Sequence, residues 1–241
     1  MKHKKSEHVP SVGTPNPLRR IEYNTLQEQV HRRMREGLID GQFQPGQVLT
    51  IRYLAEQLGT SVMPVREALH KLTVERVLDL LPTRSVRVPV LSVAKFAEIC
   101  DARVVLEGAI VELAAERANA TDIARIETVD REFQVARVAR DQLRKNREFH
   151  FAIYESAHHP TLMGLIEPLW VRCGPCTLAL FEETGLDGLE RGASPRHHEA
   201  LEAIRLRQPA RARAAIVADV LATRNNYQRH VERTQVGVKA R

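Results

Sequence analysis

Apolar residues recur at three- and four-residue intervals along most of the chain, and short β-type stretches occur in one region only. Leu26, Val30, Met34 and Leu38 form the first helical stripe, opened by a Thr25-Leu-Gln-Glu28 capping box and closed near Gly41. After a Gln44-Pro-Gly46 turn, Ile51 to Leu58 predicts a short second helix with Gly59 as its stop. Ser61 or Thr60 caps a third, with Pro64 in its first turn and Val65, Leu69 and Leu72 inward. Two helices joined by a Gly-containing turn predict a helix-turn-helix. Leu78 to Leu81 and Val86 to Pro89, flanking Pro82-Thr-Arg-Ser85, predict a β-hairpin wing.

From Ser92 onward the pattern is helical throughout, with short loops, as in an antiparallel bundle. The expected segments run from Ser92 to Ala118, broken or bent near Asp101, from Thr121 to Asp141, and from Gln142 to Ala157. His159-Pro160 restarts the chain, Ser194-Pro195 opens a later helix, and Gln208-Pro209 opens the last, which ends near His230. The fold class expected is therefore mainly α: an N-terminal winged helix-turn-helix followed by a bundle of six or seven helices. The division is a mobile basic arm over 1–17, the winged helix over 18–89, the helical domain over 90–234 and a tail over 235–241.

Composition sharpens this division. The net charge of +6 lies mostly in the first third, where residues 1–89 hold 14 Lys and Arg against nine acids. Such an excess fits a polyanionic partner and equally a merely solvated surface. No apolar run is long enough to span a membrane, the basic start has no apolar segment after it, and three cysteines make no secreted disulfide framework. A cytoplasmic protein with no membrane partner is expected.

In a helix-turn-helix the second helix enters the major groove, where Arg can bond guanine bidentately. Ser61, Val62, Met63 and Arg66 occupy the base-facing positions, His70 lies further along near phosphate, Arg52 opens the preceding helix, and Arg84 and Ser85 lie at the wing tip beside Arg87. Gly41 to Leu49, Leu54-Ala55, Leu58-Gly59, Ser61, Pro64-Val-Arg-Glu-Ala-Leu69 and Leu72 together resemble the DNA-binding domain of the GntR family of transcription regulators. The resemblance implies that Arg66 is a principal DNA contact, with Ser61 to Met63 and the wing tip contributing. Three positions depart from it: Val62 stands where Arg is usual, and Arg76 and Ser85 stand where Gly is usual.

The second half is similar to the FCD-type effector domain of one GntR subgroup, through Arg103-Val-Val-Leu-Glu107, Ala114-Ala115, Asn146-Arg-Glu-Phe-His150 and His197-His-Glu-Ala-Leu-Glu-Ala-Ile204. That resemblance implies a pocket for a small-molecule carboxylate effector, frequently with a divalent metal of the Zn, Ni or Mn class. Its metal positions fall on Asn146, His150, His197 and Asp219, with Asn for the usual Asp and Asp for the last His. The formal ligand charge is conserved by that exchange, although a neutral amide is a weak ligand. A hydrogen-bonded core role for the two histidines is the alternative. Arg103 can pair either with an effector carboxylate or with Glu107, one turn on.

The function these readings support is a ligand-controlled transcription regulator, not an enzyme, that binds a double-stranded DNA operator as a homodimer, because one recognition helix alone binds weakly. Two other readings compete. A metal-dependent enzyme using His150, His197 and Asp219 lacks a convincing base. A redox sensor is suggested by Cys173-Gly-Pro-Cys176, the thioredoxin signature. Here no strand precedes the motif, and both cysteines continue a helical seam of Leu162, Ile166 and Leu169.

Overall fold

The computed structural model describes residues 26–83, 85–188 and 195–239, with side chains omitted over 183–188 and 236–239. The N-terminal arm, the Thr25 cap, Arg84 and Ser194 lie outside the described residues. Helix α1 spans Leu26–Ile39, strand β1 Val48–Leu49, α2 Ile51–Gln57, α3 Val62–Val74, β2 Asp79–Leu80 and β3 Val86–Arg87. Thr50 caps α2 by accepting from the Tyr53 N–H, whereas Ser61 flanks α3 without a side-chain cap. Met34, Leu38, Leu54, Val65, Leu69 and Leu72 close one core between the three helices. Each such side chain contributes roughly 1.5–3 kcal/mol by leaving water.

The wing holds one strand more than the sequence pattern predicts. β1 pairs antiparallel with β3, Val48 opposite Arg87 and Leu49 opposite Val86, and β3 pairs with β2, so the sheet order is β1-β3-β2. A two-residue strand carries no alternation to read; pairing alone makes it a strand.

Six helices follow: α4 Val93–Arg117, α5 Ala120–Val135, α6 Ala139–Glu155, α7 Pro160–Gly188, α8 Pro195–Arg205 and α9 Pro209–Lys239. The break expected as one alternative near Asp101 does not occur. α4 runs unbroken because no Gly or Pro interrupts Cys100-Asp-Ala-Arg103, and the Asp101 side chain points outward to the Arg224 guanidinium at 2.8 Å. Asn119, not Thr121, opens α5, through a reciprocal capping box with Asp122. α5 also ends at Val135 and α6 begins at Ala139, earlier than the apolar spacing predicts, and α9 continues well past His230.

The head docks on the bundle through the end of α1. Arg35 reaches both Glu75 at 2.8 Å, beyond α3, and Glu167 of α7 at 3.1 Å, while Asp40 pairs with Arg147 of α6 at 2.9 Å. Among the described residues no helix is long and apolar enough to cross a membrane.

Candidate functional site

Two sites emerge, one on each half. On the head, Arg52 at the start of α2, Arg66 and His70 on the outer face of α3, and Thr83 and Ser85 of the wing line one cleft of about 620 Å³. Ser61, Val62, Met63, Arg66 and His70 are exposed at or along the leading half of α3, and Met63 and Val62 are apolar side chains with no core to fill. Arg87, by contrast, is tied to Asp79 at 3.3 Å across the wing. Arg84 is not described.

In the bundle, a cavity of about 110 Å³ is lined by Arg103, Asn146, His197 and Asp219, with Phe133 and Leu143 among its apolar walls. His150, His197 and Asp219 stand on α6, α8 and α9, and their donor atoms all lie within 4.8 Å of one another. His150 and His197 are fully buried, their rings 5.1 Å apart and edge-on, and His197 stacks on Phe149 at 4.0 Å. Asn146, one turn before His150 on α6, faces the same cavity. His198 is exposed, as its place on the helix predicts.

Behind these donors lies a network that the sequence motifs do not disclose. Glu107, wholly buried, accepts hydrogen bonds from Arg103 Nε at 2.6 Å, the Tyr154 hydroxyl at 2.6 Å and Trp170 Nε1 at 2.9 Å. Arg103 is held doubly, with Nη2 also 3.3 Å from Glu107 and its guanidinium 4.3 Å above the Trp170 ring. The pairing of Arg103 with Glu107 is therefore realised. It also aims the remaining guanidinium N–H groups, because Arg103 lines the cavity while bonded through Nε and Nη2. Burial works against the Arg103 charge, but the Glu107 carboxylate more than offsets it and the guanidinium stays charged.

This network sets the tautomer of His150. The Tyr154 hydroxyl spends its hydrogen on Glu107, so at 3.0 Å His150 Nδ1 must carry the proton and donate it to the Tyr154 oxygen. The opposite nitrogen, Nε2, then faces Asp219 Oδ2 at 3.3 Å without an aligned hydrogen bond. Two electron-rich atoms at that distance need a proton or another cation between them. Burial drives the His197 pKa down to about 3, against the opposing pull of Asp219, so its ring is neutral and keeps a lone pair. Burial pushes the Asp219 carboxyl up, yet its close contact with His150 and the attraction of His150 and His197 outweigh that and leave its pKa at about 2. Two neutral-capable imidazoles and an ionised carboxylate form a donor set that fits a divalent transition metal.

Ile39, the last residue of α1, also lines this cavity, so the DNA-reading head supplies part of its wall. The contact is close. A Cβ placed on Gly174 of α7 would sit 2.4 Å from the Leu38 carbonyl oxygen and 2.5 Å from Ile39 Cα. The Gly of the Cys-Gly-Pro-Cys stretch thus lets the end of α1 approach the helix backbone. Its cysteines are buried free thiols inside α7. A hydrogen bond with Cys100 and burial raise the Cys173 pKa well above the ordinary range, and burial raises that of Cys176. That is the reverse of a thioredoxin thiolate.

Comparison with known proteins agrees with this geometry. The model of the "Bacterial regulatory proteins, gntR family" matches residues 26–88, and that of the "FCD domain" matches residues 98–222. The chain is 35% identical over 166 residues to the HTH-type transcriptional regulator McbR of Escherichia coli K12, covering 68% of this chain and 75% of that one. The solved structure of E. coli McbR/YncC superimposes with a TM-score of 0.79 at 32% identity, over 86% of this chain and 99% of that one. A GntR family transcriptional regulator from Pseudomonas syringae pv. tomato DC3000 shares the fold, with a TM-score of 0.53 at 23% identity over 88% of each chain. A winged helix matched by one model and a six-helix effector domain matched by the other make this chain a member of the GntR family of transcription regulators, in the group that carries an FCD domain.

Proposed function

We propose that the protein binds a two-fold DNA operator as a homodimer and releases or tightens it when a small carboxylate enters the bundle cavity. The observation that carries this reading is the shared wall: the cavity that holds Arg103, His197 and Asp219 is closed on one side by Ile39 of the head. A ligand seated there touches the head directly. It shifts DNA affinity to the extent that it binds one head placement better than another.

On the head, Arg66 reads a base edge, Ser61 to Met63 fit the groove, and Arg52, His70, Ser85 and Arg84 hold phosphate or the wing's groove. In the cavity, His150, His197 and Asp219 would hold a divalent metal with Asn146 as a fourth, weaker ligand, and the metal would supply an electrophilic anchor for a carboxylate. Arg103, which lines the same cavity, would donate to that carboxylate.

Operator binding tests the assignment. Arg66→Ala is expected to lose specific binding in a gel-shift assay, by about 1–3 kcal/mol or more, while its circular dichroism spectrum matches the parent. Undiminished affinity would remove Arg66 from the interface. Fluorescence anisotropy on the operator, with small carboxylates added with and without Zn, Ni or Mn, then identifies the effector class.

A further inference from the structure

A second cleft, of about 820 Å³, opens at the junction of head and bundle, between the base of the wing and the start of the effector domain. Four cations line it: Arg76 beyond α3, Arg87 of β3, Lys95 of α4 and Arg172 of α7. Among the described residues that line it, Asp79 is the one acid, and it is already engaged by Arg87. Lys95 is tied to Glu98 outside. Arg76 and the half-buried Arg172 make no side-chain hydrogen bond or ion pair among the described residues.

Arg76 carries a second signal. It sits at φ 57°, the left-handed position that ends α3, with its N–H on the Thr73 carbonyl and the Val77 N–H on the Leu72 carbonyl. Glycine is the favoured residue there, and a side chain costs up to about 1 kcal/mol. Two other non-glycine residues of the described chain take this conformation, and both use their side chains. Arg207 caps the end of α4 through the Ala115 and Ala118 carbonyls, and His158 pairs with Asp122 at 3.0 Å. Arg76 alone of the three has no side-chain partner among the described residues, and it borders the cleft.

We propose that this cleft is a binding site for a small, multiply charged anion of the phosphate or phosphate-ester class. Two guanidinium forks, one from the head and one from the bundle, suit such an oxyanion, which each can grip bidentately, and a net positive lining calls for more than one negative charge. DNA backbone phosphate has the same chemistry, and Thr73 and Leu80 border both this cleft and the one lined by Arg66, but Arg76 follows the C-terminal end of α3, away from Ser61 to Arg66. Twelve helical residues separate the two ends by about 18 Å. The two unpartnered cations, Arg76 and Arg172, border this cleft and not the one lined by Arg66, which favours a free anion over DNA phosphate. Because Arg76 belongs to the head and Arg172 to the bundle, the anion ties one to the other, independently of the cavity around His197.

Titration calorimetry of the full chain with inorganic pyrophosphate, in chloride buffer with EDTA, tests this. One saturable site per chain is expected, weakened at least tenfold by Arg172→Ala and by Arg76→Gly but not by Arg131→Ala, an exposed cation on α5. Arg76→Gly relaxes a left-handed position, so its loss of binding cannot be ascribed to misfolding. Absence of saturable heat at millimolar pyrophosphate, or equal binding by all variants, overturns the proposal. So does an operator titration, without pyrophosphate, in which Arg172→Ala lowers the salt slope by about 1, because the cleft would then hold DNA phosphate.

Discussion

Glu107 is the residue around which the bundle site is organised, although it touches no ligand in this arrangement. A buried carboxylate is expensive unless its lone pairs are met, and three side chains from α4, α6 and α7 meet them here. The consequence passes through Tyr154 to the tautomer of His150, which places a lone pair on Nε2. Tyr154→Phe is accordingly expected to keep the fold but weaken divalent metal binding by about 10–100-fold, as outer partners of metal-bound histidines do. Equal metal affinity in a competition titration would show that the hydroxyl has no part in it. His197 supplies a pH dependence at the same scale. Its folded pKa of about 3 lies below the ordinary 6.5, so the unfolded chain binds the extra proton first as the pH falls. The stabilisation is complete above about pH 6.5 and is lost as the pH drops toward 3. In EDTA, the thermal midpoint should fall below pH 6.5, and His197→Gln should flatten that slope; parallel profiles would refute the assignment. In the sequence, Tyr154 was within reach as the next position of the Asn146, His150 stripe. The pairing of Glu107 with Arg103 was offered there too, but its bonds to Tyr154 and Trp170 were not legible, because they span 47 and 63 residues.

At the scale of elements, α7 joins the two functions. Its Gly174 sits against the backbone of Leu38 and Ile39, and backbone cannot yield as a flexible side chain can. Gly174→Ala is expected to destabilise the protein by about 1–3 kcal/mol through overpacking and to change operator affinity without touching a DNA contact. Chemical denaturation and anisotropy on the same sample check both, and an unchanged unfolding midpoint would mean that α1 simply moves aside. The helical periods of α1, α3 and α7 were legible from spacing alone, since one apolar face suffices to show them. Strand β1 and the start of α5 were not. β1 exists only by pairing with β3, and Asn119 competes for the cap with Thr121, two residues on, by a backbone geometry that spacing does not rank.

At the scale of the whole molecule, the candidate metal donors tie α6, α8 and α9 together. An ion held there stabilises the folded state by mass action. Stripping the protein with a chelator is expected to lower its melting temperature, and adding Zn, Ni or Mn to restore it, an effect absent in Asp219→Asn; a melting curve indifferent to metal would rule the centre out. The cavity beside these donors is lined by α7 and by Ile39 as well, so under the proposed function occupancy at the centre bears on the placement of the head.

The order of elements, the winged helix followed by a bundle, and the outward face of α3 were determined by the sequence itself. These depend on local periodicity, on caps and turns, and on a dozen residues at fixed short spacing. Tertiary structure decided the rest: that Arg103 is pinned by Glu107, that His150, His197 and Asp219 converge from three helices, that Gly174 is a docking notch, and that Arg76 and Arg172 face one cleft. Apart from the Arg103–Glu107 pair, which is one helical turn and was open to the sequence as an alternative, each of these joins residues far apart in the chain. Packing alone brings such residues within reach of one another, so only the folded chain discloses which of them act together.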